Sequence, residues 1–148
     1  MLKISFKPLC ATLALGALCS AASAEDVVVR AIADNIAFAT RVTESDIWEV
    51  GCEFKAPEGS PGAIKLRAIL EKQPSTEQPI PPQGIDVRIA IHTGGRTIFM
   101  DPFGVEIEGQ GSRQYRQDVV PKIRRLLKSG KFTMTPDDRD ECNRHWSR

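Results

Sequence analysis

The 148-residue sequence contains few of the side chains on which catalysis and metal binding usually depend. It has two histidines, His92 and His145, and it lacks the Gly-x-Ser-x-Gly, Ser-x-x-Lys and His-Glu-x-x-His patterns of known nucleophile and zinc sites. Because a zinc site needs three or four ligands, two separated histidines do not indicate one. We therefore predict no metal and no cofactor.

The sequence also lacks a hydrophobic run of the about 20 residues that a transmembrane helix needs. The apolar stretch at residues 9–18 is too short for this; it follows Lys3 and Lys7 and precedes Ala-Ser-Ala at 22–24. This order is typical of a secretory signal. We predict that residues 1–24 are a cleaved signal peptide, that 25–148 form one domain, and that the protein is periplasmic or secreted without a transmembrane anchor. A retained anchor and a lipoprotein acylated at Cys19 are the alternatives.

Cysteine is scarce: the chain has four, and only Cys52 and Cys142 lie outside the predicted signal peptide. In an exported protein, two cysteines most simply form one disulfide. A bridge across so long a loop is worth about 4–5 kcal/mol on chain-entropy grounds. The alternative is a nucleophilic or metal-binding thiol.

Neither sign of charge dominates, since 18 basic residues remain beyond the signal peptide against 19 acidic ones. This balance, together with only 6% aromatic residues, argues against nucleic-acid binding. Basic residues are nevertheless concentrated near the C-terminus, at Arg113, Arg116, Lys122, Arg124, Arg125, Lys128 and Lys131. This set fits either a surface for an acidic partner or an ordinary solvated helix face.

The most regular pattern runs from residue 85 to residue 100. Apolar residues occupy every second position at Ile85, Val87, Ile89 and Ile91. Gly94 and Gly95 then supply the positive φ angles of a tight turn. The pattern predicts a β-hairpin with one face in the core and Asp86, Arg88 and His92 on the other.

The remaining segments predict an α+β fold: a mainly antiparallel sheet, one amphipathic helix packed on it, and a disulfide-stapled C-terminal tail. The helix is expected at 118–129, where apolar residues follow a 3.6-residue period. Strands are expected at 47–54, 64–70, 105–107 and 131–135. The proline-rich stretch 73–83 predicts an extended connection, and the glycines at 109–112 predict a break. Two segments stay open: 26–43 as a hairpin turning at Asp34-Asn35 or a helix, and 60–70 as a strand or a helix that begins at Ser60-Pro61.

Three function classes are compatible with these features. The first is an exported, non-enzymatic binding protein, such as an inhibitor, immunity factor or envelope accessory factor, whose partner is another envelope protein. Its expected contacts are the hairpin (Arg88, His92, Arg96) and the basic helix (Lys122, Arg124, Arg125, Lys128). The second is a small envelope hydrolase in which His92 acts as general base and Asp86 orients it. The third is a module that contacts anionic lipid or cell-wall polymer, with binding that falls as salt rises.

Overall fold

Eight antiparallel strands form one sheet in the order β3-β7-β6-β5-β4-β1-β2-β8. The computed structural model describes residues 25–115, 118–136 and 140–146, so the predicted signal peptide and Arg116 lie outside the described residues. The strands are β1 (Asp26–Ala31), β2 (Cys52–Pro57), β3 (Ser75–Gln78), β4 (Ile89–Thr93), β5 (Arg96–Met100), β6 (Val105–Glu108), β7 (Gly111–Tyr115) and β8 (Thr133–Met134). The helices are α1 (Asp46–Val50), α2 (Pro61–Lys72), α3 (Val119–Lys128) and α4 (Asp140–Trp146). The predicted α+β class is confirmed.

The two faces of the sheet carry two separate apolar clusters. The larger cluster lies under α2, α3 and α4 and draws residues from β1, β2, β4 and β5. The smaller cluster lies on the opposite face, with Ile47 of α1 and Val42 of the preceding segment. In β4, Ile89 belongs to the first cluster and Ala90 to the second, as expected for consecutive residues of a strand covered on both faces. Within the described residues, none of the helices is both long and apolar enough to span a membrane.

The central hairpin is confirmed as the pair β4 and β5. His92 lies opposite Thr97, and Thr93 lies opposite Arg96. Gly94 and Gly95 form the turn with φ values of +54° and +72°. Positive φ at both central residues suits the twist of a two-residue hairpin, which explains the glycine pair.

The predicted continuation of this hairpin back to residue 85 is interrupted by a β-bulge. The Arg88 amide donates to the Met100 carbonyl oxygen at 2.9 Å, and Ile89 is also the register partner of Met100. Because two consecutive residues lie opposite a single residue of β5, the alternation of side chains between the two faces of the sheet shifts by one position. Ile89 therefore lies in the larger cluster, whereas Ile85 and Val87 lie in the smaller one. The prediction that the apolar positions share one face was wrong for this reason.

Residues 32–43 form neither the second hairpin strand nor the helix expected from the sequence. β1 ends at Ala31, and both of its edges are occupied, by β2 and by β4. A strand that returns after residue 35 therefore has no free edge on β1. The segment instead runs along the smaller cluster, where the Val42 carbonyl accepts from the Val87 amide at 2.9 Å.

Two predicted strands are wholly or partly helical. At the turn that leads into α1, the Thr43 amide donates to Asp46 Oδ2 at 2.9 Å and the Asp46 amide donates to Thr43 Oγ1 at 3.3 Å, a reciprocal pair like that of a capping box. In α2, Ser60 Oγ accepts from the Ala63 amide at 3.2 Å, and Pro61 occupies the first turn. The strand prediction over 64–70 was wrong, and the helix alternative is confirmed. The strand expected at 47–54 begins only at residue 52, as β2.

Two strands were missed. Residues 75–78 form the edge strand β3, and 111–115 form β7, where the glycines had predicted a break. Gly109, at a φ of +56°, lies in the turn that connects β6 to β7. Pro74 and Pro79 flank β3 and lack amide donors, which limits further pairing at this edge.

The predicted disulfide joins Cys52 in β2 to Cys142 in α4, with a Cα–Cα distance of 5.6 Å. Both cysteines are buried in the larger cluster. Four residues after Cys142, the Trp146 ring meets the Phe54 ring edge-on at a centroid distance of 4.8 Å. The C-terminal helix is therefore attached to the sheet both covalently and by aromatic packing.

Replacing Cys52 and Cys142 together by serine is expected to lower the free energy of unfolding by up to about 4–5 kcal/mol, because the bridge closes a long loop in the unfolded chain. Urea unfolding followed by far-UV circular dichroism measures the difference. Wild-type protein that has been unfolded, reduced and refolded under reductant should match the double variant. Equal midpoints for oxidised wild type and the double variant would contradict the expected stabilisation.

The turn between β5 and β6 is organised by a buried carboxyl group, Asp101. Its Oδ1 accepts hydrogen bonds from the Phe103 and Val105 amides, both at 2.8 Å. Burial raises the pKa of the Asp101 carboxyl above its ordinary value, although these amide donors oppose the change. The folded protein therefore holds this proton to a higher pH than the unfolded chain, so the contribution of Asp101 to stability falls as pH rises through the raised pKa.

Asp101→Asn keeps the Oδ1 acceptor but cannot ionise. We expect the stability of this variant relative to wild type to increase as pH rises from the ordinary carboxyl value of 3.8 toward neutrality. Asp101→Ala removes both hydrogen bonds and should cost about 1–3 kcal/mol across the same range. Urea unfolding at several pH values measures both effects. Parallel pH curves for wild type and the Asn variant would show that the carboxyl proton is not linked to folding.

Candidate functional site

Helix α3 closes the larger core and also carries most of the basic residues identified in the sequence. Its buried apolar residues are Val119, Val120, Ile123, Leu126 and Leu127. Asp118 stands at the N-cap but makes no side-chain cap hydrogen bond, so burial of the apolar stripe is the main support of this helix. The helix lies beside α2 on the same face of the sheet. Its basic side chains are consequently confined to two edges, which face different neighbours.

The first edge of α3 borders a shallow groove against α2, which we call the α2–α3 groove. The groove has a volume of about 340 Å³ and is lined by Lys65, Ile69, Lys122, Arg125, Leu126 and Ser129. Lys122 Nζ donates to Gln73 Oε1 at 2.9 Å. Arg125 is exposed, and its Nε approaches the Pro121 carbonyl of its own helix at 3.4 Å. The groove thus combines an apolar floor with a cationic rim.

The second edge of α3 borders a recess against α4 and the loop after β1, which we call the α3–α4 recess. It has a volume of about 400 Å³ and is lined by Ala33, Asp34, Asn35, Arg124, Lys128, Arg144, His145 and Trp146. Three permanent cations thus line the recess, and Asp34 is the one carboxylate among its described lining residues. The arrangement is suited to an anionic group.

Arg124 is the most unusual side chain of the recess, because only 7% of it is exposed. Its Nη1 lies 2.6 Å from Asp34 Oδ1, without the alignment of a hydrogen bond, and its Nε has no partner among the described residues. Burial lowers the pKa of the Arg124 guanidinium; Asp34 opposes this change, and the nearby Arg88 cation adds to it. Arg124 therefore does not lie on a solvated helix face, which was one of the two interpretations of the basic residues, and its role in binding stays a prediction.

The opposite wall of the recess comes from the stapled C-terminal helix. Lys128 Nζ lies 5.8 Å from the centre of the Trp146 ring, within the range of a cation–π contact. Trp146 is 6% exposed, and its indole Nε1 has no hydrogen-bond acceptor in the part of the chain that the structure describes. His145 Nδ1 lies 2.7 Å from Asn35 Nδ2, which ties α4 to the loop after β1. The recess is thus formed by segments far apart in the sequence.

Of the three hairpin residues, Arg88 is engaged inside the protein. It donates to Asp86 Oδ2 from Nε at 3.0 Å and from Nη2 at 2.7 Å, and to the Ile36 carbonyl at 3.2 Å. Its guanidinium also lies over the Phe38 ring at 5.4 Å. Arg88 therefore holds the loop after β1 in place, and only 15% of its side chain is exposed.

His92 and Arg96 are more accessible, but each already has an acidic neighbour. His92 Nδ1 lies 3.0 Å from Thr97 Oγ1, and Nε2 lies 3.6 Å from Glu25 Oε1. Arg96 Nε lies 2.7 Å from Glu108 Oε1. Asp86, expected to orient His92, instead accepts from Arg88 and from the Val42 amide. The predicted Asp86–His92 pair is not formed, and a hydrolase based on His92 stays a prediction.

No family model, no curated protein and no solved structure matches this chain. Among the described residues, no group of three or more His, Cys, Asp or Glu side chains is placed to hold a metal ion. Functional conclusions therefore rest on the groove and the recess. The sequence pattern identified the basic residues of α3 but not the residues that lie beside them, which are Lys65, Asp34, Arg144 and Trp146. The spacing of four between Cys142 and Trp146 was the one available signal, because it places both on one side of a helix.

Arg124→Met removes the buried charge and keeps a long, unbranched side chain. We expect its free energy of unfolding to equal or exceed that of wild type, because an ion pair rarely repays the cost of burying a guanidinium. Asp34→Asn removes the counter-charge and should lower stability, but by at most about 1 kcal/mol because Asp34 is 80% exposed. Urea unfolding at neutral pH measures both. A loss above about 3 kcal/mol for the Met variant would identify Arg124 as a structural residue.

Proposed function

We propose that this protein is an exported, non-enzymatic binding protein that acts by contacting another protein of the cell envelope. Inhibitors, immunity factors and envelope accessory subunits are proteins of this kind. The observation that carries the proposal is the α2–α3 groove, where cationic side chains surround an apolar floor on an outer helix layer. Lys65 and Arg125 are exposed there, and Lys122 is half-buried.

The chemistry of the groove favours an acidic, amphipathic segment of the partner. The half-buried Ile69 offers apolar area to such a segment, and the three basic side chains can pair with carboxylates at its edges. Charged groups at the rim of an interface mainly accelerate association and select against partners of the wrong sign. An acidic partner would therefore be captured rapidly at low salt and less effectively as salt screens the attraction.

The periplasm or the extracellular space is the compartment that we propose for this interaction. The Cys52–Cys142 disulfide supports it, because such bonds persist mainly in oxidising compartments. The signal-peptide pattern of residues 1–24 supports it from the sequence, although these residues lie outside the described part of the structure. A partner is therefore to be sought among envelope proteins.

The double variant Lys122→Gln/Arg125→Gln should bind the partner about tenfold more weakly, because two rim charges are lost from the groove. The partner is first captured from cross-linked cell envelopes at low and moderate salt and identified by mass spectrometry. Its affinity for wild type and variants is then measured by isothermal titration calorimetry over a salt series. The variant should also show a shallower salt dependence than wild type.

The control variant Lys55→Gln/Arg67→Gln removes the same charge from exposed positions outside the groove. It should bind like wild type. Equal affinity of the groove variant and wild type would overturn the proposal. Loss of affinity only in His92→Gln/Arg96→Gln would move the interface to the hairpin. Salt-sensitive binding to anionic vesicles without a protein partner would favour the lipid-contacting alternative.

A further inference from the structure

We propose that the α3–α4 recess is a binding site for a small organic carboxylate. This site is distinct from the α2–α3 groove, and it does not depend on the proposed protein partner. Two observations, one on the α3 wall and one on the α4 wall, carry the inference: each wall holds a buried hydrogen-bond donor that finds no acceptor within the described ranges. These donors are Arg124 Nε on α3 and Trp146 Nε1 on α4.

Unpaired buried donors are uncommon because each one loses its hydrogen bonds to water without replacement. An acceptor that enters the recess would remove this cost at both walls, once small side-chain shifts uncover the two nitrogen atoms. Arg124 is charged and Trp146 can only donate, so the matching group is an oxyanion and not a cation or an amine. Lys128 and Arg144 add positive charge around the same space.

The residues that line the recess also indicate what kind of molecule carries the oxyanion. Trp146 and Ala33 supply apolar surface beside the cations, which favours an organic acid over a bare inorganic ion. Asp34 lies against Arg124 and repels additional negative charge, so a carboxylate with one charge is favoured over a phosphate with nearly two. A volume of about 400 Å³ suits a small molecule or the end of a peptide.

The recess depends on the staple, because α4 provides three of its lining residues and Cys142 anchors α4 to β2. The contact between Asn35 and His145 then positions the loop after β1 against the same helix. The site is thus preorganised by links on two sides, which limits the ordering cost of binding. Reductive cleavage of the disulfide should weaken ligand binding along with stability.

The test uses Trp146 as its own reporter. Because the chain has two tryptophans, Trp48→Phe leaves a single indole, and it keeps an aromatic ring beside Phe99. In this background, hexanoate is titrated while the Trp146 indole N–H signal is followed by ¹⁵N–¹H NMR. The signal should move downfield and saturate, because Nε1 gains an acceptor. Hexanol, which has a similar apolar body without the charge, should leave it in place.

Arg124→Met in the same background should weaken hexanoate binding about tenfold or more, whereas the control Lys131→Gln removes an exposed charge outside the recess and should bind like the parent. Comparison of a short peptide with a free carboxyl terminus and its amidated form shows whether the acid is also accepted on a peptide. If hexanoate binds, a free organic acid is sufficient to occupy the recess. If only the peptide with a free carboxyl terminus binds, the natural ligand is the terminal carboxylate of a peptide or protein.

Three results would overturn the proposal. Hexanol could move the indole signal as much as hexanoate does, inorganic phosphate could bind more tightly than hexanoate, or the Arg124→Met variant could retain full affinity. The absence of any saturable change with either hexanoate or the free peptide would also reject the site and would assign the two donors to ordered water. Folding of each variant is checked by its urea midpoint, so loss of binding is not confused with loss of structure.

Discussion

The disulfide between Cys52 and Cys142 is the constraint on which the C-terminal part of the structure depends. It fixes a seven-residue helix, too short to be stable alone, against β2, the second-to-last strand of the eight-stranded sheet. Trp146 can then pack on Phe54, and the rest of α4 forms one wall of the α3–α4 recess. A covalent bond in the core thus determines the shape of a surface feature.

Helix α3 combines two tasks that are usually separated, closing the core and presenting charge. Arg124 and Arg125 are neighbours in the sequence, yet the helical turn of about 100° per residue sends one into a buried ion pair and leaves the other in solvent. The same helix therefore borders two cationic surfaces with different properties. The groove suits a protein segment, whereas the recess, with its buried unpaired donors, suits a small acid.

Where the structure differs from the elements predicted from the sequence, each difference has a particular physical cause. The bulge at Arg88 places Ile85 and Val87 on the opposite face of the sheet from the one expected. The alternating pattern of the sequence gives no sign of the extra residue at the bulge. The strand expected after Asp34 does not form, because both edges of β1 are already paired, one with β2 and the other with β4. Helix α2 was undecided because its residues alternate in hydrophobicity while Ser60 and Pro61 also favour a helix start. Each case is a competition that local sequence does not resolve.

The sequence alone determined the α+β class, the β4–β5 hairpin, helix α3 and the pairing of the two cysteines beyond the predicted signal peptide. These features depend on neighbouring residues, on glycine at a turn, or on there being one possible cysteine pair. Tertiary structure decided which strands are adjacent, which basic side chain is buried, and that Asn35 meets His145 across 110 residues. The recess exists only where these distant segments converge, and periodicity reports on a single segment at a time.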